Sequence, residues 1–244
     1  IMIPAILVMG IGPMLSWGKA DVIGILTKSL PSILLAAVIS SIFFWIYRSY
    51  NMLGLAGIIL AFWIISNILL TTIQQLIVKN KEVTQNIIPK YSTGMIIAHL
   101  GVALLILGIT GSSIWQKEKI IRMKINDETS IHNYNIVFKE VSEVTGPNYV
   151  ALQGNFWVYN NKKNIITKLK PENRFYPVTN NSTTEASIHA NLARDLYVVL
   201  GDGDVNEGWI VRIYYNPLVV WIWIGAFTIF LGGLFSMKNN FKKM

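Results

Sequence analysis

The stretch GMIIAHLGVALLILGITGSSIW, from Gly94 to Trp115, decides how the rest of the chain reads. It contains no acid, lysine or arginine. At about 1.5 Å of rise per residue it is long enough to cross the roughly 30 Å hydrocarbon core of a bilayer. Immediately beyond it the texture changes. From Gln116 to Asn216 charges return, and runs rich in Val, Ile, Tyr and Phe alternate with Gly-, Pro- and Asn-containing turns. A membrane helix that hands over to a strand-rich stretch predicts an α-helical polytopic membrane protein with an inserted extracytoplasmic antiparallel β-rich domain, barrel- or sandwich-like.

Four more apolar runs lie outward from this junction. Leu30 to Tyr47, Met52 to Val78 and Pro217 to Met237 are each long enough to span. Ile1 to Leu15 is too short and stops at Gly12-Pro13, so it reads as part of a span. The expectation is four full spans plus part of a fifth: residues 1–115 as membrane helices, 116–216 as the β-rich domain, 217–244 as a final helix with a Lys-rich tail. The chain opens on Ile1 inside an apolar run, and is expected to be a piece of something longer or one product of a split gene.

Charge placement agrees with a membrane reading. Of 244 residues only 14% are charged, mean hydropathy is +0.46 and the formal charge is +8. The stretch from Gln116 to Asn216 holds 12 basic and 11 acidic residues. The basic excess therefore belongs to the ends of the apolar runs, which argues against nucleic acid as a partner and for membrane topology. Lys19, Lys28, Lys79, Lys81, Lys90, Lys238, Lys242 and Lys243 fall on one side, and Arg48 stands alone in the other short loop. The lysine side is predicted to be cytoplasmic, which makes the β-rich domain periplasmic in a bacterial inner (plasma) membrane, or leaves it across a mitochondrial inner membrane. With no cysteine, a disulfide framework, a thiolate metal site and a cysteine nucleophile are excluded.

Within the β-rich stretch, strands are predicted at Lys119–Ile125, Tyr134–Val144, Tyr149–Tyr159, Ile165–Leu169, Leu196–Leu200 and Trp209–Tyr215. Gly201-Asp202-Gly203 reads as a turn and Thr184 to Ala193 as one short helix. The segment Leu169 to Pro177, with two prolines, mixed charge and aromatics, reads as a rigid exposed turn or docking surface. No HExxH, GxSxG, paired-carboxylate spacing or glycine-rich phosphate loop is present.

Three histidines carry what chemistry the sequence offers. His132 and His189 sit among strands and turns, where a solvated surface role is expected. His99 lies inside the Gly94–Trp115 run, and an ionisable side chain there must face a partner or a cavity. Gly94, Ala98, Gly101 and Ala103 surround it and would let a flat ligand, or another helix, approach the backbone. Two readings stay open on these residues: an axial ligand of haem iron, or an interhelical hydrogen bond.

Four stretches in order resemble one family. They are Met9-Gly10-Ile11-Gly12-Pro13 with Trp17; Gly94 to Gly101; Leu169 to Tyr176 with Thr184-Glu185-Ala186; and Asp195 to Gly201 with Arg212 to Trp223. They are similar to the C-terminal part of CcmF, the haem-lyase component of cytochrome c maturation. The resemblance implies a role in joining haem vinyl groups to the CxxCH thiols of apocytochrome c. It implies a b-type haem (haem b) held by two membrane histidines, of which His99 matches the second. Implied partners are a haem chaperone (CcmE-like), apocytochrome c with its thiol-reducing partner (CcmH-like), and the N-terminal half or subunit of the same lyase. The family's tryptophan-rich Trp-Gly-x-x-Trp-x-Trp-Asp region, its other membrane histidine and its two periplasmic haem histidines have no counterpart here. This chain alone is therefore expected to lack a complete haem site. The alternatives are a non-enzymatic membrane scaffold that docks apocytochrome or the haem chaperone, and a haem transporter subunit, which would need paired interrupted helices.

Overall fold

The computed structural model describes residues 2–11, 22–47, 51–79 and 93–241. Two compact units emerge, Ile1–Ile114 with Trp221–Met244, and Trp115–Val220. Gly12-Pro13, Trp17, Lys19, Arg48, Lys81, Lys90, Lys242 and Lys243 lie outside the described residues.

The first unit is helical: α1 (Met2–Ile11), α2 (Val22–Tyr47), α3 (Met52–Lys79), α4 (Thr93–Ile114) and α5 (Val219–Phe241). Among the described residues, segments of α3, α4 and α5 are long and apolar enough to cross a membrane, while the apolar part of α2, Ser29–Phe43, is shorter. Helix α2 begins at Val22, earlier than Leu30, and takes Pro31 into its body. Asn51 starts α3 as an N-cap: its Oδ1 accepts from the backbone N–H of Leu53 at 3.0 Å and of Gly54 at 3.3 Å.

Ala36 of α2, Trp63 and Ile64 of α3 and Ala103 of α4 form the packed centre of this unit, with Ile6 and Met9 of α1 against it. Small residues set the approach of the helices. Gly57 of α3 abuts Thr110 of α4, and a methyl placed on Gly54 would lie 2.9 Å from Ile114 Cγ2. Helices α4 and α5 meet closer still, backbone against backbone. A methyl on Gly94 would lie 2.5 Å from the amide nitrogen of Ser236, and one on Gly101 2.7 Å from the carbonyl oxygen of Gly225.

The second unit is two antiparallel sheets. One has the order β1 (Lys117–Met123), β10 (Gly208–Pro217), β9 (Arg194–Asp204), β8 (Ser187–Ala190). The other has β2 (Glu128–Ile131), β3 (Tyr134–Thr145), β4 (Val150–Asn160), β6 (Glu172–Tyr176), β7 (Asn181–Glu185), with β5 (Ile165–Leu169) also on β4. Their inner faces share one core. Ile136, Phe138, Phe156, Val158, Leu196, Val198, Leu200, Val211 and Ile213 are all fully buried, and the Phe138 and Phe156 rings stack at 4.4 Å. The alternation that predicted strands is the alternation that fills this core: Leu196, Val198 and Leu200 point in, while Tyr197 and Val199 point out.

Three expectations are corrected. Thr184 to Ala193 is not a helix: β7 pairs with β6 and β8 with β9, so two neighbours satisfy the backbone of residues whose own pattern carries no strand signal. Gly201-Asp202-Gly203 is not the turn. Strand β9 continues to Asp204, whose carboxylate accepts the N–H groups of Asn206 at 2.7 Å and Glu207 at 2.8 Å and so closes the turn further on. Leu169 to Pro177 is not a turn, because β6 fills most of it as a strand. Strand β2 carried no prediction; it is a short hairpin partner of β3.

Candidate functional site

The imidazole of His99 is held by its own helix. Nδ1 lies 2.9 Å from the carbonyl oxygen of Met95, one turn earlier. A carbonyl can only accept, so Nδ1 carries the proton and Nε2 of the neutral ring keeps its lone pair. Among the described residues no group hydrogen-bonds Nε2. A histidine that anchors one nitrogen on a backbone carbonyl and offers the other is the arrangement of a metal-bound imidazole.

Helix geometry says which way that nitrogen faces. At about 100° per residue, His99 lies roughly 40° from Ala103 and 20° from Thr110 around α4, but about 140° from Gly94 and 160° from Gly101. Thr110 and Ile114 pack on α3, whereas Gly94 and Gly101 pack on α5. His99 therefore belongs to the α3-facing stripe. Continuing the antiparallel register of Gly57 with Thr110 brings it level with about Ile68 of α3. The glycines that sequence reasoning assigned to a flat ligand or a helix are taken by the helix, α5.

The residues fit one axial position of a haem. The donor chemistry is right, and the surroundings are apolar. They do not supply a second histidine, because His132 and His189 are both in the sheet unit. Among the described residues no group of three or more His, Cys, Asp or Glu could hold a metal ion.

In the sheet unit, the segments around Glu172 and Glu185 come together as paired strands, with Glu172 opposite Glu185 in register. Glu172 accepts from Arg174 Nε at 2.8 Å and from Gln153 Nε2 at 2.7 Å. The Arg174 guanidinium also reaches Glu185 at 3.7 Å and lies 4.4 Å from the Tyr149 ring. The Arg174 hydrogen bond holds the Glu172 carboxyl below the usual range, and the same bond pushes Arg174 up. This network ties β4 and β6 to the edge strand β7.

His132 is the first residue of the β2–β3 turn at φ 52°, its ring tilted 33° against that of Tyr215 at 4.5 Å. Burial, then the charge of Lys117, lowers its pKa. Burial and Arg194 lower that of His189. Among the described residues neither belongs to a group of three or more His, Cys, Asp or Glu that could hold a metal ion.

The outer face of the β1–β10–β9–β8 sheet holds a groove of about 370 Å³. Tyr197 and Tyr214 face each other across β9 and β10 with their rings stacked at 4.5 Å. Beside them Arg212 lies between Val199 and the exposed Ile120. Thr184 and Asp202 close its sides. The outward alternation of Tyr197, Val199 and Gly201 signals this face in the sequence. The seven-residue spacing shared by Gly94–Gly101 and Gly225–Gly232 signals the α4–α5 contact. The Tyr197 face and the Gly225–Gly232 pair carry no expectation from the sequence, whereas Gly94 and Gly101 do.

Comparison with known proteins adds the family. A profile described as "CcmF C-terminal beta-sandwich" matches residues 114–217. The chain is 33% identical, over 97% of its length, to "Cytochrome c-type biogenesis protein CcmF" of Escherichia coli. It is 31% identical over 98% to the protein of that name from Haemophilus influenzae, and 30% identical over 98% to "Cytochrome c-type biogenesis protein ccl1" of Rhodobacter capsulatus. It spans 36%, 37% and 36% of these three proteins. A solved structure, "Cytochrome c Heme Lyase CcmF", has the same fold: TM-score 0.70 over 96% of this chain and 39% of that one, at 19% identity.

Proposed function

This chain belongs to the CcmF family, whose C-terminal part it represents, and on that footing we propose that it is the C-terminal part of a cytochrome c haem lyase in which His99 is an axial ligand of a b-type haem. The observation that carries the reading is the His99–Met95 hydrogen bond. It fixes the tautomer and leaves Nε2 for iron, on an apolar helix where an unsatisfied polar nitrogen is costly. His99 binds and orients the group, and the apolar flank of α3 and α4 keeps water from it. A haem bound there supplies a one-electron redox centre. The second ligand, the substrate haem site and the docking of apocytochrome c belong to the N-terminal part or subunit of the lyase and to its chaperone and thiol-reducing partners. The reading places the chain in a bacterial inner membrane with the sheet unit periplasmic.

The test is optical spectroscopy on the detergent-purified chain, with and without the N-terminal partner. A low-spin bis-histidine spectrum is expected only in the co-complex, and is expected to vanish in His99→Ala. A well-folded complex that holds no haem overturns the ligand assignment.

One observation favours a second reading, a non-enzymatic scaffold. The aromatic and partly apolar outer face of the β1–β10–β9–β8 sheet exceeds what a solvated sheet needs. Under that reading, Tyr197→Ala with Arg212→Ala abolishes capture of apocytochrome c or the haem chaperone, while His99→Ala leaves capture intact.

A further inference from the structure

We propose that Gly94 and Gly101 of α4, with Gly225 and Gly232 of α5, are positioning residues for His99: their backbone interlock sets the rotation and height of α4 that turn the imidazole toward α3. The proposal rests on the reading of His99 as an iron ligand, and deepens it.

The contacts are main chain to main chain at two levels. At one, a methyl on Gly232 would lie 2.5 Å from the amide nitrogen of Ala98 and 2.7 Å from the carbonyl oxygen of Gly94. At the other, a methyl on Gly225 would lie 2.6 Å from the amide nitrogen of Leu105 and 2.7 Å from the carbonyl oxygen of Gly101. A flexible side chain could move aside, but a helix backbone cannot. On each helix the two glycines are seven residues apart, about two turns or 10 Å. Two such points fix both the axial rotation and the offset of the pair, which a single contact would not. A one-residue slip of α4 would carry His99 about 1.5 Å along the axis and about 100° around it. Either motion removes Nε2 from a ligating position. The interlock therefore excludes the wrong faces of α4 as well as shaping a contact.

A built-in control exists one residue away. Gly233 has nothing within 4 Å of where a methyl would stand. Gly233→Ala makes the same chemical change in the same helix without touching α4.

The experiment uses the chain assembled with its N-terminal partner. In Gly232→Ala and Gly225→Ala the low-spin haem signature is expected to convert partly to high-spin and the midpoint potential to shift, with Gly233→Ala matching the parent. A second measurement needs no haem. The chain has no cysteine, so His99→Cys is a sole thiol. Its maleimide labelling in native membranes, before any extraction, is expected to change several-fold when Gly232→Ala is added, and to stay constant with Gly233→Ala. Labelling and spectrum both unchanged in Gly232→Ala overturn the proposal. Absence of haem in every preparation, parent included, overturns the ligand reading alone, and the labelling then decides the positioning role. If Gly232→Ala does not accumulate, Gly225→Ala gives the same decision.

Discussion

Arg194 donates through Nε to the Tyr134 hydroxyl at 2.9 Å and lays its guanidinium 4.4 Å from the same ring. Its Nη1 reaches the carbonyl of His189 at 2.8 Å, and only 2% of the residue is exposed. Among the described residues it has no ion pair. Two neutral acceptors and an aromatic face, with the neighbouring Asp195 carboxylate as a further attraction, compensate this buried cation, an arrangement that depends on the planar fork. Arg194→Met is expected to lower stability by about 1–3 kcal/mol, because it strands the hydroxyl and the carbonyl. Arg194→Lys is expected to lose a similar amount, since an ammonium cannot serve both acceptors and the ring. Thermal unfolding of the detergent-solubilised chain measures this, and an unchanged Tm in both variants would contradict the account.

The two sheet-unit histidines give an acid limb to stability. Both folded pKa values are lowered from 6.5, by burial first. Between the lowered value and 6.5 the unfolded chain binds more protons than the folded one, so stability falls as pH drops below 6.5. The loss is complete once pH is below the folded value. His132→Asn keeps a side chain that accepts the left-handed turn and removes one titration. Its Tm is expected to fall less steeply from pH 7 to 5.5 than the parent's. Equal slopes would show that His132 does not contribute.

Glu172 acts lower on the pH scale. Its folded pKa lies below 4.5, chiefly through the Arg174 hydrogen bond. Its contribution is present above 4.5 and is lost as pH falls through the lower folded value. Glu172→Gln is expected to cost about 1 kcal/mol at pH 7 and to make stability less sensitive to pH below 4.5. A variant as stable as the parent at pH 7 would mean that the Gln153–Glu172–Arg174 network is decorative.

Leu218 joins β10 to α5 at φ 60°, a left-handed conformation unfavourable for a side chain, with its N–H bonded to the Ala193 carbonyl at 3.1 Å. Leu218→Gly is expected to relieve about 1 kcal/mol, and Leu218→Val to cost at least as much. A thermal shift of opposite sign in both variants would refute the strain.

Much of this was legible in the residues. Apolar run length predicted α3, α4 and α5, because a long apolar run suits a bilayer whatever its neighbours, and period-two alternation predicted β3, β4, β9 and β10, because there the local pattern and the final burial coincide. Strands β7 and β8 were missed for the opposite reason. All five residues of β7 are exposed, so no burial wrote an alternation into its sequence. Its conformation comes from β6. His99 was found as an ionisable residue in an apolar run, but its direction was not. A period of 3.6 residues separates it from Gly94 and Gly101; which neighbouring helix covers those glycines is settled only by tertiary packing.

The β1–β10 ladder has a mechanical consequence. Its register runs from Lys117 opposite Tyr215 to Met123 opposite Trp209. Trp115 and Gln116 alone join it to α4, and Leu218 alone joins it to α5. A hydrogen-bonded ladder does not stretch, so the strands by which the chain enters and leaves the sheet unit are held at one level. The sheet unit thus latches its own entry and exit together, as a clasp closes a ring.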